Sequence, residues 1–168
     1  VWQRTIAFPQ GISLVDQVVG IVATPVVQQG IIYVATYQGR VSAIELATGE
    51  DIWQQEMSVY TGMTLDGNVL YVSDANSHVW AIDKNDGQVL WRQTQLNARS
   101  ITAPVILDDV VVIGDAFGYL HWLAKEDGRF IARNQGSQNS ISTTPVNFNG
   151  QLQVLNQSGE LANYRVVT

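Results

Sequence analysis

Residues 41–53 read VSAIELATGEDIW, residues 79–91 read VWAIDKNDGQVLW, residues 120–132 read LHWLAKEDGRFIA, and LANYRV starts the phrase again at Leu161. Glycine fixes the step. Gly49, Gly87 and Gly128 are spaced 38 and 41 residues apart, and Gly39, Gly118 and Gly159 are spaced 79, which is two steps, and 41. A period of this size marks a solenoid, a propeller or an array, in which each unit has an apolar face that only its neighbour can cover.

Within one step the chain reads as four strands. In the first repeat, residues 23–27 (ATPVV) form a short strand whose Pro25 is tolerated at a strand start, and Gln29 and Gly30 turn the chain. Residues 31–36 form a second strand, residues 41–46 a third, and residues 52–55 a fourth after the turn at Thr48 and Gly49. Asp66 with Gly67, Asp86 with Gly87, Asp127 with Gly128 and Asn149 with Gly150 supply the positive φ that tight hairpins require. No segment sustains a 3.6-residue apolar period, so almost no helix is expected. Four short antiparallel strands per forty residues predict an all-β fold of β-propeller blades, here a partial ring of about four. The expected blades are 21–57, 60–95, 100–135 and 140–168, with residues 1–8 the last strand of a preceding blade. Val1, Trp2 and Gln3 match Ile52, Trp53 and Gln54, so the chain starts inside a repeat phrase and reads as a C-terminal piece of a longer protein. The terminal faces of such a partial ring are expected to be apolar and to drive dimerisation or aggregation.

The tryptophans recur with the glycines. Trp53 and Trp91 each follow a turn glycine by four residues, and Trp2 occupies the same slot. A buried Trp offers a large ring and one N–H that needs an acceptor, which suits it to bridging adjacent blades. Trp2, Trp53, Trp91, Gly49, Gly87 and Gly128 are therefore the expected blade-docking residues. The third phrase has Ala132 instead, and Trp122 on the preceding strand is expected to fill part of the missing volume.

Of 168 residues, 46% are hydrophobic and 14% charged, an ordinary globular mixture, and the net charge is −6. No Lys/Arg cluster occurs, so a groove that neutralises phosphates, and with it nucleic acid as a partner, is set aside. No apolar run approaches the eighteen residues of a membrane-spanning helix. The chain has no cysteine, which removes disulfides and thiolate metal sites and fits an oxidising compartment.

Little in the phrase points to catalysis. His78 falls in the slot of Tyr119 and His121 in that of Trp80, so the two histidines do not converge, and a metal site normally needs three protein ligands. Both are read as surface or packing residues. Asp66, Asp86 and Asp127 precede turn glycines, while Asp74 and Asp115 share a slot with Thr36 and Asn156, all types that hydrogen-bond the backbone of a following turn. No catalytic, cofactor-binding or metal-ligating residue is assigned.

Two breaks in the phrase are more informative. From Trp2 to Trp53 is 51 residues, against 38 from Trp53 to Trp91, and the extra segment, residues 11–22 (GISLVDQVVGIV), carries Leu14, Val15, Val18 and Val19 beside the single charge of Asp16. It is either a longer first strand tucked against a missing blade or a protein-binding loop. The connection LNARSI, residues 96–101, brings in Arg99, a residue type favoured at interfaces when it is not simply solvated. Leu14, Asp16, Val18 and Arg99 are the partner-binding candidates.

Residues 43–53 and 81–91, AIELATGEDIW and AIDKNDGQVLW, resemble the tryptophan-docking motif of quinoprotein-type propeller repeats. Residues 114–133, GDAFGYLHWLAKEDGRFIAR, with TPVV at 24–27 and APV at 103–105, are similar to the BamB family of propeller lipoproteins from the outer-membrane β-barrel assembly machinery. The likeness spans essentially the whole chain and implies that it is the C-terminal half of the family's larger ring. It implies a non-catalytic, cofactor-free scaffold on the periplasmic side of a Gram-negative outer membrane, lipid-anchored when full length. Such a scaffold binds the POTRA domains of BamA and assists unfolded outer-membrane clients. Family members often carry an arginine and aspartates before the TPV strand. This chain keeps Asp16 but has Gln17, Gly20 and Val22 nearby, so partner contacts do not transfer position by position. The same repeats also build quinone-dependent dehydrogenases, against which the lack of a cysteine pair counts, and blade edges could instead capture extended client strands.

Overall fold

The computed structural model describes residues 1–6, 20, 23–37 and 39–165. Every regular element among them is a strand. The first sheet holds β1 (Val26–Gln28), β2 (Ile31–Ala35), β3 (Arg40–Glu45) and β4 (Asp51–Glu56). The second holds β5 (Val59–Asp66), β6 (Val69–Asp74), β7 (Val79–Asp83) and β8 (Val89–Gln93). The third is built from β9 (Val105–Leu107), β10 (Val110–Gly114), β11 (Tyr119–Ala124) and β12 (Phe130–Gln135). Three strands make the fourth: β13 (Val146–Phe148), β14 (Gln151–Leu155) and β15 (Leu161–Arg165). Each sheet is a simple antiparallel meander in chain order, the blade of a propeller, and the four do not close into a ring. Residues 1–6 form no strand.

Even the irregularities repeat. The third and fourth strands slip register between Ala43 and Ile44, Ala81 and Ile82, and Trp122 and Leu123, the same step of each blade. Such a bulge bends and further twists the outer strand locally.

Alternation puts successive side chains of a strand on opposite faces, and both faces here are apolar. In the second blade Leu70, Val72 and Ile82 point into a cluster shared with Tyr33, Val41 and Trp53 of the first, while Tyr71, Val79, Ala81 and Trp91 join Val111, Ile113 and Leu123 of the third. A third cluster unites Val112 and Leu120 with Leu152 and Val154 of the fourth blade. The core thus lies between blades.

Tryptophan and glycine meet across these seams. The ring of Trp2 lies over Gly49, that of Trp53 over Gly87 and that of Trp91 over Gly128. Each indole N–H donates to the carbonyl three residues before its glycine: Leu46 at 2.8 Å, Lys84 at 2.7 Å and Lys125 at 2.8 Å. These glycines do two things that no other residue can. Gly87 has a φ of 77°, and a Cβ there would lie 2.8 Å from the Trp53 ring. In the third blade the sizes are exchanged across one rung: Ala43 and Ala81 face Trp53 and Trp91, whereas Trp122 stands opposite Ala132.

Candidate functional site

The meander sends the turns that begin at Thr36, Asp74, Asp115 and Asn156 to one end of the blades, together with the described connections between blades. At each turn one residue occupies the slot shared by Thr36, Asp74, Asp115 and Asn156, and its side-chain oxygen accepts backbone N–H groups. Asp74 Oδ1 takes those of Asn76 and His78, Asp115 Oδ1 those of Phe117 and Tyr119, and Asn156 Oδ1 those of Ser158 and Glu160. Thr36 Oγ1 takes that of Arg40. The residue after this slot donates its N–H to the carbonyl of Gly20, Ser58, Arg99 or Ser140. Arg99 therefore sits in a repeating slot, and in this slot only the connection before the third blade carries a charged side chain.

That charge is used. Asp115 is fully buried, and its Oδ2 accepts Arg99 Nε at 2.6 Å and His121 Nε2 at 2.7 Å. A carboxylate only accepts, so Nε2 carries the imidazole proton. Burial alone would raise the Asp115 carboxyl. Hydrogen bonds from His121, the Tyr119 N–H and Arg99, with the Arg99 charge, outweigh it and hold the group below the usual carboxylate range. Arg99 also stacks: its guanidinium carbon lies 4.9 Å from the Phe117 ring centre and 5.5 Å from that of Tyr119. Arg133 covers Tyr119 at 5.1 Å, while Phe117 remains 58% exposed.

The second blade holds a variant of this cluster. Asp74 Oδ2 accepts Trp80 Nε1 at 2.9 Å and lies 3.0 Å from His78 Nδ1, and Arg92 stacks on Trp80 at 4.2 Å. Arg92 Nη2 is also 2.7 Å from His78 Nδ1, which cannot accept that bond while donating to Asp74. His78 and His121 thus belong to separate clusters in neighbouring blades. Among the described residues no group of three His, Cys, Asp or Glu side chains could hold a metal ion.

Of the sequence candidates for partner binding, Arg99 is placed and tied to Asp115. Leu14, Asp16 and Val18 lie outside the described residues, as does most of the 11–22 segment. Sequence reading missed the convergence of Asp115, His121 and Arg99, although one signal was available. Asp115 caps the N–H of Tyr119, and strand alternation then returns residue 121 to the same side, so an Asp followed six residues later by a ring N–H donor is the signature in both blades.

Comparison with known proteins agrees with this architecture. The family described as Outer membrane protein assembly factor BamB matches residues 1–93. The protein of that name from Vibrio cholerae serotype O1 is 39% identical over 161 residues, which cover 96% of this chain and 42% of the relative. The chain thus spans about two-fifths of that curated relative's length. Among solved structures, BamB from Moraxella catarrhalis superposes with a TM-score of 0.90 at 25% identity, covering 99% of this chain and 49% of that one. A quinohemoprotein alcohol dehydrogenase from Comamonas testosteroni shares the fold alone, with a TM-score of 0.67 at 18% identity over 87% of this chain and 35% of that one.

Proposed function

This chain belongs to the family of outer membrane protein assembly factor BamB, and from that premise we propose that it is part of a non-catalytic scaffold in the outer-membrane β-barrel assembly machinery. The scaffold binds the POTRA domains of BamA and helps barrel clients reach it, from the periplasmic side of the outer membrane and through a lipid anchor on the full-length protein. The observation that carries the reading is the family match over residues 1–93. The arginine and aromatic cluster at one end of the blades supports it, because Arg and aromatic side chains dominate protein interfaces. The blade-docking role of Trp2, Trp53 and Trp91 on Gly49, Gly87 and Gly128 belongs to the same proposal: those contacts hold the blade angles that present the loops.

Titration calorimetry of full-length protein with POTRA domains tests the contact residues. Arg99→Glu and Asp16→Lys, combined with Leu14→Ser and Val18→Ser, are expected to weaken binding about tenfold or more. Unchanged affinity would remove those residues from the interface. The enzymatic alternative requires quinone or calcium bound one per chain and lost when Asp74 or Asp115 is changed. Direct client capture requires crosslinks to unfolded barrel proteins without BamA.

A further inference from the structure

Beside the Asp115 cluster lies a cleft of about 370 Å³. Its walls come from two parts of the chain: Gln95, Leu96 and Arg99 of the connection before the third blade, and Phe130 and Arg133 of its outer strand β12, with His121 between them. The chain as a whole is acidic, with a net charge of −6, yet this cleft is lined by two guanidinium groups and no carboxylate. The neighbouring carboxylate, Asp115, is committed to His121, Arg99 and two backbone N–H groups. Arg99 gives only Nε to it, which leaves both Nη nitrogens uncommitted among the described residues. Arg133 makes no ion pair among the described residues and rests on the Tyr119 ring.

Both guanidinium carbons lie within 5.5 Å of the same Tyr119 ring centre. The rings and the Asp115 bond therefore restrain two planar guanidinium groups that line one cleft, a group type that pairs with carboxylates. Apolar surface adjoins them: Phe130 is partly covered by an edge-on contact with His121, and Ile131 is 53% exposed. His121 Nδ1 is buried without a hydrogen-bond partner, a debt that few native polar groups carry.

We propose that this cleft docks an acidic segment of a partner protein, its carboxylates on Arg99 and Arg133 and a neighbouring apolar side chain against Phe130 and Ile131. The proposal rests on the scaffold reading and adds a surface and a chemistry to it. Charge complementarity selects the occupant, and the spent backbone selects against a phosphate: the N–H groups of the 115–119 turn, which could form an anion nest, already bind Asp115. A phospholipid surface is the competing occupant that the experiment distinguishes.

The probe is a capped decapeptide alternating Glu with Leu, titrated into the isotope-labelled full chain and followed by NMR at the arginine Nε–H signals; a Gln-for-Glu peptide and phosphatidylglycerol vesicles are the comparison arms. The acidic peptide is expected to shift Arg99 and Arg133, to bind at least about tenfold more tightly than the Gln peptide, and to weaken as salt rises. Arg133→Glu, at an exposed site with no structural ion pair, should abolish binding. Arg99→Lys, which keeps a charge for Asp115 but loses the planar fork, should weaken it severalfold. Equal affinity for the two peptides, indifference to Arg133→Glu, or Arg shifts with vesicles only would overturn the proposal. POTRA titration runs in parallel: failure of the unaltered protein to bind POTRA domains sinks the scaffold reading, whereas POTRA binding without acid-dependent peptide binding overturns the cleft alone.

Discussion

The second and third blades carry the same aspartate at the same step of the repeat and surround it differently. Around Asp74 the donors are local: two backbone N–H groups, Trp80 and His78, all within six residues. Around Asp115 one donor, Arg99, arrives from the connection to the previous blade, 16 residues away in sequence. The turn is therefore a property of the repeat. The ion pair is a property of the side chain in one slot of the connections, which holds Arg99 before the third blade and Ser58 before the second. What distinguishes one blade from another enters through its connections.

The two blades share one seam, and that seam is the first thing to break. Trp91→Ala removes the ring from Gly128 and the bond to the Lys125 carbonyl, and is expected to cost about 3–5 kcal/mol in urea denaturation. A loss under about 1 kcal/mol would mean that the seam does not depend on the indole. Next in size is the contrast between the aspartates themselves. Asp115→Ala strands a buried imidazole and an arginine as well as two backbone donors and should cost about 3 kcal/mol, against about 1–2 kcal/mol for Asp74→Ala. Equal costs would erase the distinction drawn between the blades.

Acid titration sharpens it further. The Asp115 carboxyl is held below its ordinary value, so its stabilisation is fully present above the unfolded pKa, near 3.9, and is lost as pH falls through the lower native value. The stability gap between the unaltered chain and Asp115→Asn should narrow as pH falls below about 4. A gap that does not change with pH would show that the hydrogen bonds matter without the charge. The smallest effect belongs to Arg99→Gln, about 1 kcal/mol, because this side chain is partly hydrated and its loss leaves Asp115 with three donors.

The propeller was legible because its evidence is periodic. Glycines spaced 38 and 41 apart, turn dipeptides and alternating apolar strands all report the same unit, and the sheets follow them closely. The site was less legible for a physical reason. Asp115, His121 and Arg99 belong to a turn, a strand and a connection; the slot of Arg99 keeps a constant distance from the turn residue, but the other repeats fill it with Gly20, Ser58 and Ser140, so no residue pattern marks it. Arg99 could be singled out as an interface type, but its pairing with Asp115 depends on how the 94–104 connection folds back. The partner-facing reading of Leu14, Asp16 and Val18 stays with the sequence, since those positions lie outside the described residues.

Each apolar cluster takes its side chains from two blades, so the seam, and not the blade, is the unit that comes apart. A blade with a seam on both faces, as the second and third have, cannot loosen without opening two clusters at once. The fourth has one seam among the described residues, and its β13 is exposed along its length. Energetic coupling in such a stack runs between nearest neighbours. Amide protons in β6 and β10 should therefore exchange last and those of β13 to β15 first, which makes protection a gradient along the chain whose steepest steps fall at the seams.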